Sequence, residues 1–133
     1  MQEPARSQAV AECVALCNAY GELADSGQAD AFADLYTPDG VFDRLGQLIE
    51  GREALRKLIA GRPAGVWTRH RCSNVRVEVA PDLRSASGEA DLEMQRGRED
   101  SSEVEEIRAR YLDRFVLTEL GWRFAARKVV LLP

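Results

Sequence analysis

The sequence predicts an α+β domain in which helices pack on one face of a curved antiparallel sheet. Three observations support this fold class. Apolar residues recur three and four positions apart in the first 60 residues, they alternate with polar residues from Val66 onward, and turn sequences separate the alternating segments. The 133 residues fit one domain spanning residues 1–133. Residues 1–7 precede the first periodic segment and are expected to be flexible.

Three helices are predicted in the first half of the chain. The first covers residues 8–25, with apolar positions at Val10, Cys13, Val14, Cys17, Tyr20 and Leu23 or Ala24. Ser26-Gly27 ends this helix, and residues 28–37 form a second, short helix. Helical spacing returns over residues 51–61, and Gly61 closes the third helix.

Strands are predicted for the remaining segments. Residues 37–40, TPDG, form a turn before a short hairpin of residues 41–46 and 47–51. Alternation between apolar and polar side chains then predicts long antiparallel strands over residues 66–80, 83–97, 104–118 and 122–132. The last two strands are joined by a tight turn at residues 119–121.

The strand that contains the only histidine of the chain changes phase along its length. His70 and Cys72 share one parity, whereas Val75, Val77 and Val79 share the other. A regular strand would therefore turn His70 away from the face that the valines bury. A β-bulge between Cys72 and Val75 would reset the phase, and bulges often lie beside active sites.

A second irregularity lies in the strand of residues 104–118. Asp113 interrupts a stripe that is otherwise apolar, formed by Ile107, Ala109, Tyr111, Phe115 and Leu117. Two interpretations are open: Asp113 is a carboxylate inside a cavity, or the stripe lies in a subunit interface.

Composition and charge argue against several classes of partner. The net charge is −4 without a basic stripe, which argues against a nucleic-acid partner. No N-terminal apolar segment resembles a signal peptide, and no apolar run has the ~18 residues of a membrane span. The three cysteines and one histidine are too few for a disulfide framework or a metal site, so the thiols are predicted to be buried, in a reducing cytoplasm.

Four segments together resemble a known family: YGELADSGQADAFADLYTPDGVF, GREALRKLI, TRHRCSNVRVEV and GWRFAARKVVLL. In this order the chain resembles, over residues 8–132, the SnoaL-like branch of the nuclear transport factor 2-like superfamily. The resemblance implies a cone-shaped barrel: a strongly curved mixed or antiparallel sheet wraps around the helices and leaves an apolar cavity. It does not fix a function, because the superfamily includes dehydratases, isomerases, cyclases, epoxide hydrolases, dioxygenase small subunits and noncatalytic binders.

Within that branch the chain is most similar to the scytalone dehydratase and bile-acid dehydratase group. Those enzymes use a tyrosine and an aspartate from the first helix and a histidine from the first long strand. Tyr20, Asp25 and His70 occupy the matching positions. Scytalone dehydratase has a second cavity histidine, which this chain lacks, so a mechanism here must use a single imidazole.

The chemistry of these residue types agrees with that match. An imidazole with an ordinary pKa of about 6.5 suits acid–base catalysis, and a carboxylate beside it would orient the ring and fix its tautomer. Asp25 lies at a helix C-terminus, where the macrodipole disfavours an anion, so a partner would explain its position. The alternatives are a strand-end histidine bound to a backbone carbonyl and, for Tyr20, an ordinary core aromatic. Five helical steps also separate Tyr20 from Asp25 by about 140°, so the two converge only if the helix end frays.

Two main hypotheses of function follow. The first is a cofactor-independent dehydratase, isomerase or cyclase, without a metal, acting on a cyclic, hydrophobic, polyketide- or steroid-like ketone. In it, His70 moves the proton, Asp25 holds His70 and Tyr20 polarises the carbonyl. The second is a noncatalytic module that binds a small hydrophobic ligand or dimerises, and a third is the small subunit of a ring-hydroxylating dioxygenase.

The remaining expectations concern the cavity wall and the oligomer. The candidate substrate-binding residues are Phe42, Trp67, Met94, Tyr111, Asp113 and Phe115. A homodimer is predicted through the sheet face, because an exposed apolar stripe usually marks a contact surface. The stripe proposed for this contact is Leu112, Val116, Val129 and Leu131.

Overall fold

In the computed structural model, which describes residues 2–133, three helices pack on a six-stranded mixed sheet. The α+β fold class predicted from the sequence is therefore confirmed. In chain order the elements are α1 (Gln2–Asp25), α2 (Ala29–Ala33), β1 (Tyr36–Arg44), β2 (Gln47–Glu50), α3 (Arg52–Ala60), β3 (Val66–Val79), β4 (Ser85–Arg98), β5 (Val104–Thr118) and β6 (Gly121–Leu131).

The strand order β2-β1-β6-β5-β4-β3 makes β3 an edge strand. Only the β1–β6 pair is parallel, and the other neighbours are antiparallel. The helix α1 packs against β3 and β6. Its buried side chains, which include Cys13, Cys17 and Tyr20, join the aromatic residues of the sheet in one core. This arrangement places the C-terminal end of α1 beside the histidine of β3.

Several predicted boundaries differ from the structure, and the second helix, predicted for residues 28–37, covers only Ala29–Ala33. The helix α1 begins at Gln2, so residues 2–7 form its first turns, and Met1 lies outside the described residues. The flexibility expected for this segment stays a prediction. Residues 37–40 are not a turn between elements but an irregular part of β1, between Tyr36 opposite Phe124 and Val41 opposite Ala126. Gly40 permits this path, because a Cβ there would lie 2.7 Å from Cβ of Tyr36.

The predicted bulge in β3 is confirmed. Ser73 pairs with Asp91 and Arg76 with Glu89, so Asn74 and Val75 together oppose a single residue of β4. Asn74 has a φ of 54°, in the left-handed region that asparagine tolerates better than most residues. The phase reset lets Cys72 before the bulge and Val75 and Val77 after it pack against the same core.

The apolar stripe proposed for dimerisation does not exist as one surface. Leu112 lies opposite Lys128, whereas Val129 lies opposite Tyr111, on the other face of the sheet. Leu131 lies opposite Ala109 and shares the face of Val129. A homodimer through the sheet stays a prediction, but its surface would alternate apolar and charged side chains. Among residues 2–133, no helix has the length and apolar character needed to cross a membrane.

Candidate active site

The end of α1 approaches the edge strand β3 very closely at Gly21. A Cβ at this position would lie 2.7 Å from Cβ of His70, a distance that real Cβ atoms essentially never show. The absence of a side chain at Gly21 therefore lets the last turn of α1 sit directly on the histidine.

Gly21→Ala is expected to lower the free energy of unfolding by about 1–3 kcal/mol, because helix and strand must separate to admit the methyl group. Helix propensity alone favours alanine over glycine by about 1 kcal/mol, so the same substitution at an exposed helix position would raise the free energy of unfolding instead. Urea unfolding of the wild type and of Gly21→Ala measures this change. Ala15→Gly, at an exposed position of α1, is the control. A gain in stability in Gly21→Ala would contradict the close approach.

Both carboxylate oxygens of Asp25 bind to β3, where they contact His70 and Thr68. Oδ1 lies 2.5 Å from His70 Nδ1 and accepts a 2.8 Å hydrogen bond from the Thr68 hydroxyl. Oδ2 accepts a 2.8 Å hydrogen bond from the backbone N–H of His70. The side chains of His70 and Asp25 are 13% and 22% exposed, so the pair is partly shielded but reachable from solvent. The contact predicted between the two residues is present.

These hydrogen bonds keep the Asp25 carboxyl ionised. Burial raises the pKa of Asp25, but the hydrogen bonds from the His70 ring, the His70 amide and Thr68 lower it by more, so its pKa lies below the ordinary value. The carboxylate is therefore an acceptor at neutral pH. With Nδ1–H of His70 donated to it, Nε2 of a neutral ring keeps its lone pair and can act as a base.

Asp25→Asn is expected to destabilise the protein near neutral pH and to matter less in acid. Because the folded-state pKa of Asp25 is lowered, its carboxylate stabilises the fold above the ordinary value of 3.8 and loses this contribution as the pH falls through the folded-state pKa. Denaturant unfolding of both proteins from about pH 7 to about pH 2 measures the difference, with Asp34→Asn at an exposed position as the control. A difference that grows toward acid would contradict the sign.

A groove of about 640 Å³ borders the pair, between the end of α1 and β3. Its lining residues are Asn18, Gly21, Glu22, Asp25, Ser26, His70, Arg71 and Cys72. The sequence predicts an apolar cavity around His70, and in this respect the structure differs, since most of the side chains that line the groove are polar. The reason is that α1 turns polar in its last turns, while the aromatic residues pack on one another in the interior.

Tyr20 lies in that interior and not on the groove. Its hydroxyl is 2.7 Å from the hydroxyl of Tyr36, and its ring packs against Phe32 with 4.6 Å between centroids. The helix stays regular through Asp25, so the two residues point in different directions around α1. Burial raises the pKa of Tyr20 well above its usual value, so the hydroxyl stays protonated. The prediction that Tyr20 presents its hydroxyl beside His70 is not met.

Behind the groove, an ion pair lies wholly inside the core. Arg127 Nε and Nη2 donate to the two carboxylate oxygens of Asp113 at 2.8 and 3.1 Å, and both side chains are at most 1% exposed. The guanidinium lies 3.5 Å from the ring centroid of Tyr111 and 4.3 Å from that of Tyr20. Burial lowers the pKa of Arg127, but Asp113 and the other groups around the guanidinium together raise it by more, so the guanidinium stays charged. Of the two interpretations of Asp113, its position inside the core agrees with the inward-facing one.

One donor of this buried pair is unused. Arg127 Nη1 is the only buried side-chain nitrogen or oxygen in residues 2–133 without a hydrogen-bond partner. Cys72, which lines the groove, is near enough to this guanidinium for the Arg127 charge to act on its thiol. Burial raises the pKa of the Cys72 thiol, and the Arg127 charge opposes that effect. Arg127 is therefore a neighbour of one residue of the groove wall, Cys72.

The other predicted binding residues divide into three groups. Phe42, Tyr111 and Phe115 are buried in the core. Met94 lies opposite His70 in β4 and is half-buried on the same face. Trp67 is wrongly predicted as a cavity residue.

The alternation of β3 turns the Trp67 ring to the face opposite His70. There the ring lies under the Arg69 guanidinium, 5.8 Å from it, and over Gly97, where a Cβ would come within 2.5 Å of the ring.

The residues of this region that were not predicted from the sequence are Arg62, Thr68, Tyr36 and Arg127. Thr68 lies two residues before His70 and so on the same face of β3, which could have identified it as a neighbour of the His70–Asp25 pair. Arg62 comes from the loop after α3, and nothing in its local sequence indicates its contact with α1. Within residues 2–133, no three His, Cys, Asp or Glu side chains cluster as a metal site.

A family model for the SnoaL-like domain matches residues 5–128. The chain belongs to the SnoaL-like family. No curated protein sequence matches this family member significantly. Among solved structures, it is similar to an NTF2-like protein with a cystatin-like fold from Novosphingobium aromaticivorans, at 27% identity over 96% of this chain and 82% of that chain, with a TM-score of 0.79.

Two further structures share the fold of this SnoaL-like chain. LinA is 18% identical over the whole of this chain and 92% of its own, with a TM-score of 0.89. A protein provisionally named a scytalone dehydratase, also from Novosphingobium aromaticivorans, is 17% identical over 96% of this chain and 84% of its own, with a TM-score of 0.80.

Proposed function

We propose that the protein is a cofactor-independent acid–base enzyme that removes a proton next to a carbonyl group, in a dehydration or an isomerisation. The observation that carries this proposal is the His70–Asp25 contact beside an open groove. Asp25 accepts from Nδ1, which leaves Nε2 as the base, and a positioned base of this kind typically contributes roughly 10²–10⁴-fold in rate.

The proposed substrate is a small cyclic ketone with a hydroxyl group on the carbon β to the carbonyl. Nε2 of His70 takes the α proton, and the electron pair of that C–H bond moves toward the carbonyl oxygen to give an enolate. The enolate then re-forms the carbonyl, and its electron pair makes the new double bond between the α and β carbons as the β C–O bond breaks. The departing hydroxyl takes the proton back from the imidazolium and leaves as water, which restores the neutral ring. In an isomerisation the same proton returns to another carbon.

Stabilisation of the enolate oxygen is assigned to donors behind the groove. The Tyr20–Tyr36 hydroxyl pair needs only one of its two protons for the hydrogen bond between them, so the other is available to a substrate oxygen. Arg127 Nη1 supplies a second, charged donor. The side chains of Tyr20, Tyr36 and Arg127 are almost fully buried and do not line the groove, so the wall around Cys72 must open before a substrate carbonyl can reach them. The scytalone dehydratase name of one fold relative is consistent with this reaction type.

The test is hydrogen–deuterium exchange at the α carbon of cyclic ketones, such as tetralones and 3-keto steroids, in deuterated buffer. This assay requires only the proton transfer and no particular leaving group. The proposal expects exchange faster than in buffer for at least one ketone, measured by NMR. Saturable binding of these ketones without exchange would instead support the noncatalytic binding module.

A further inference from the structure

The carboxylate of Asp25 is held by a chain of hydrogen bonds that begins in the loop after α3. Arg62 Nη1 donates to the Thr68 hydroxyl at 3.1 Å, and that hydroxyl donates to Asp25 Oδ1 at 2.8 Å. The same oxygen of Asp25 faces His70 Nδ1. We infer that Arg62 and Thr68 are positioning residues that act through Asp25 to keep His70 in the tautomer with its proton on Nδ1.

The direction of this chain follows from which groups can donate. A guanidinium has only donors, so the Thr68 oxygen must accept from Arg62. The hydroxyl has one proton, and that proton then points at Asp25. Oδ1 of Asp25 is therefore an acceptor. Its second partner, His70 Nδ1, must then be the donor in the hydrogen bond between them. Without Arg62 the hydroxyl of Thr68 can rotate, and without the hydroxyl Asp25 loses one of the two donors, the other being the His70 backbone N–H, that fix its orientation beside the ring.

Arg62 also supplies the positive charge that the end of α1 lacks. The last turn of α1 contains no basic residue, and its final carbonyls are exposed ends of the helix dipole. Arg62 Nη1 donates to the carbonyl of Ala24 at 3.0 Å, and Nη2 to that of Asp25 at 3.2 Å. The forked guanidinium thus binds the backbone of α1 and the side chain of Thr68 together, a task for which a lysine ammonium is too compact.

The catalytic importance of this arrangement rests on the proposed function, but its test needs no substrate. His70 is the only histidine in the sequence, so the ¹⁵N signals of a histidine-labelled sample belong to one ring. At a pH that leaves the imidazole neutral, the wild-type spectrum is expected to show a protonated Nδ1 and an unprotonated Nε2. Thr68→Val, which keeps the shape of the side chain, should bring in signals of the second tautomer.

Matched variants separate positioning from general damage. Thr68→Ser keeps the hydroxyl and should retain the wild-type tautomer, whereas Arg62→Gln should show both tautomers. Arg98→Gln, at an exposed arginine, is the control and should match the wild type, with amide spectra checking the fold of each variant. The inference is overturned if folded Thr68→Val keeps the single Nδ1–H tautomer, or if the wild type carries its proton on Nε2. A protein with the expected tautomers but no ketone exchange would refute the proposed function alone.

Discussion

Asp113→Ala is expected to lower the free energy of unfolding by about 3–5 kcal/mol, because it leaves the buried guanidinium of Arg127 without its counter-charge. Both side chains lie fully inside the core, so water cannot replace the lost carboxylate. Urea unfolding followed by tryptophan fluorescence measures the loss. Glu105→Ala, at an exposed carboxylate of the same strand, is the control and should change stability by only about 0.5 kcal/mol.

The double variant Asp113→Leu/Arg127→Met tests what the ion pair does besides holding the core. Removing both charges and filling the space with apolar groups is often neutral or stabilising by about 1–4 kcal/mol. We expect this variant to be much more stable than Asp113→Ala. If the double variant is stable but loses ketone exchange, the Asp113–Arg127 ion pair serves the reaction rather than the stability of the fold. A loss below about 1 kcal/mol in Asp113→Ala would contradict the dependence of Arg127 on its partner.

The sequence predicted the architecture because two periodicities were unambiguous. Helical spacing along the N-terminal segment and alternation in the long strands identified most elements with small errors at their ends. The bulge in β3 was predictable for the same reason: His70 and the later valines have opposite parity, yet both needed to face the core. The part of β1 at residues 37–40 was missed, because Pro38 and Gly40 are typical of turns and the close packing of Gly40 on Tyr36 is a tertiary contact.

The candidate site was only partly predictable. The unfavourable position of Asp25 at a helix end indicated a partner, and the structure provides His70 and Thr68 on its carboxylate and Arg62 on its backbone carbonyl. The 140° between Tyr20 and Asp25 along a regular helix argued against their meeting, and this geometric argument agrees with the structure. Arg62 was out of reach, because sequence patterns do not say how far a loop lies from a helix that precedes it by some 35 residues.

Arg127 shows how a single irregularity hides a contact from sequence analysis. The hairpin pairs Thr118 with Gly121, and a regular register from that turn would place Ala126 opposite Asp113. A register shift next to Arg114 and Phe115 moves Arg127 into that position instead. Because nothing in the local sequence of β6 marks the shift, the buried ion pair could be seen only in the structure.

His70→Ala is expected to slow ketone exchange roughly 10²–10⁴-fold, the usual contribution of a positioned acid–base group. The residue supplies the only imidazole of the chain, so no second histidine can take over the proton transfer. Asp25→Asn should also reduce the rate strongly while the fold persists, because the amide carries no charge to stabilise the imidazolium. Both rates are measured against wild type with the same ketone by NMR.

The control for this experiment is Ser73→Ala, an exposed position on β3 that does not line the groove. Its rate should equal that of the wild type, which shows that changes in β3 do not by themselves disturb exchange. Ligand binding gives the second comparison: His70→Ala should bind the ketone with nearly unchanged affinity, because the imidazole acts on the proton rather than on the carbonyl oxygen. If His70→Ala exchanges α protons within a few-fold of the wild-type rate, the base lies elsewhere, and the contact between His70 and Asp25 serves only to fasten α1 to the edge of the sheet.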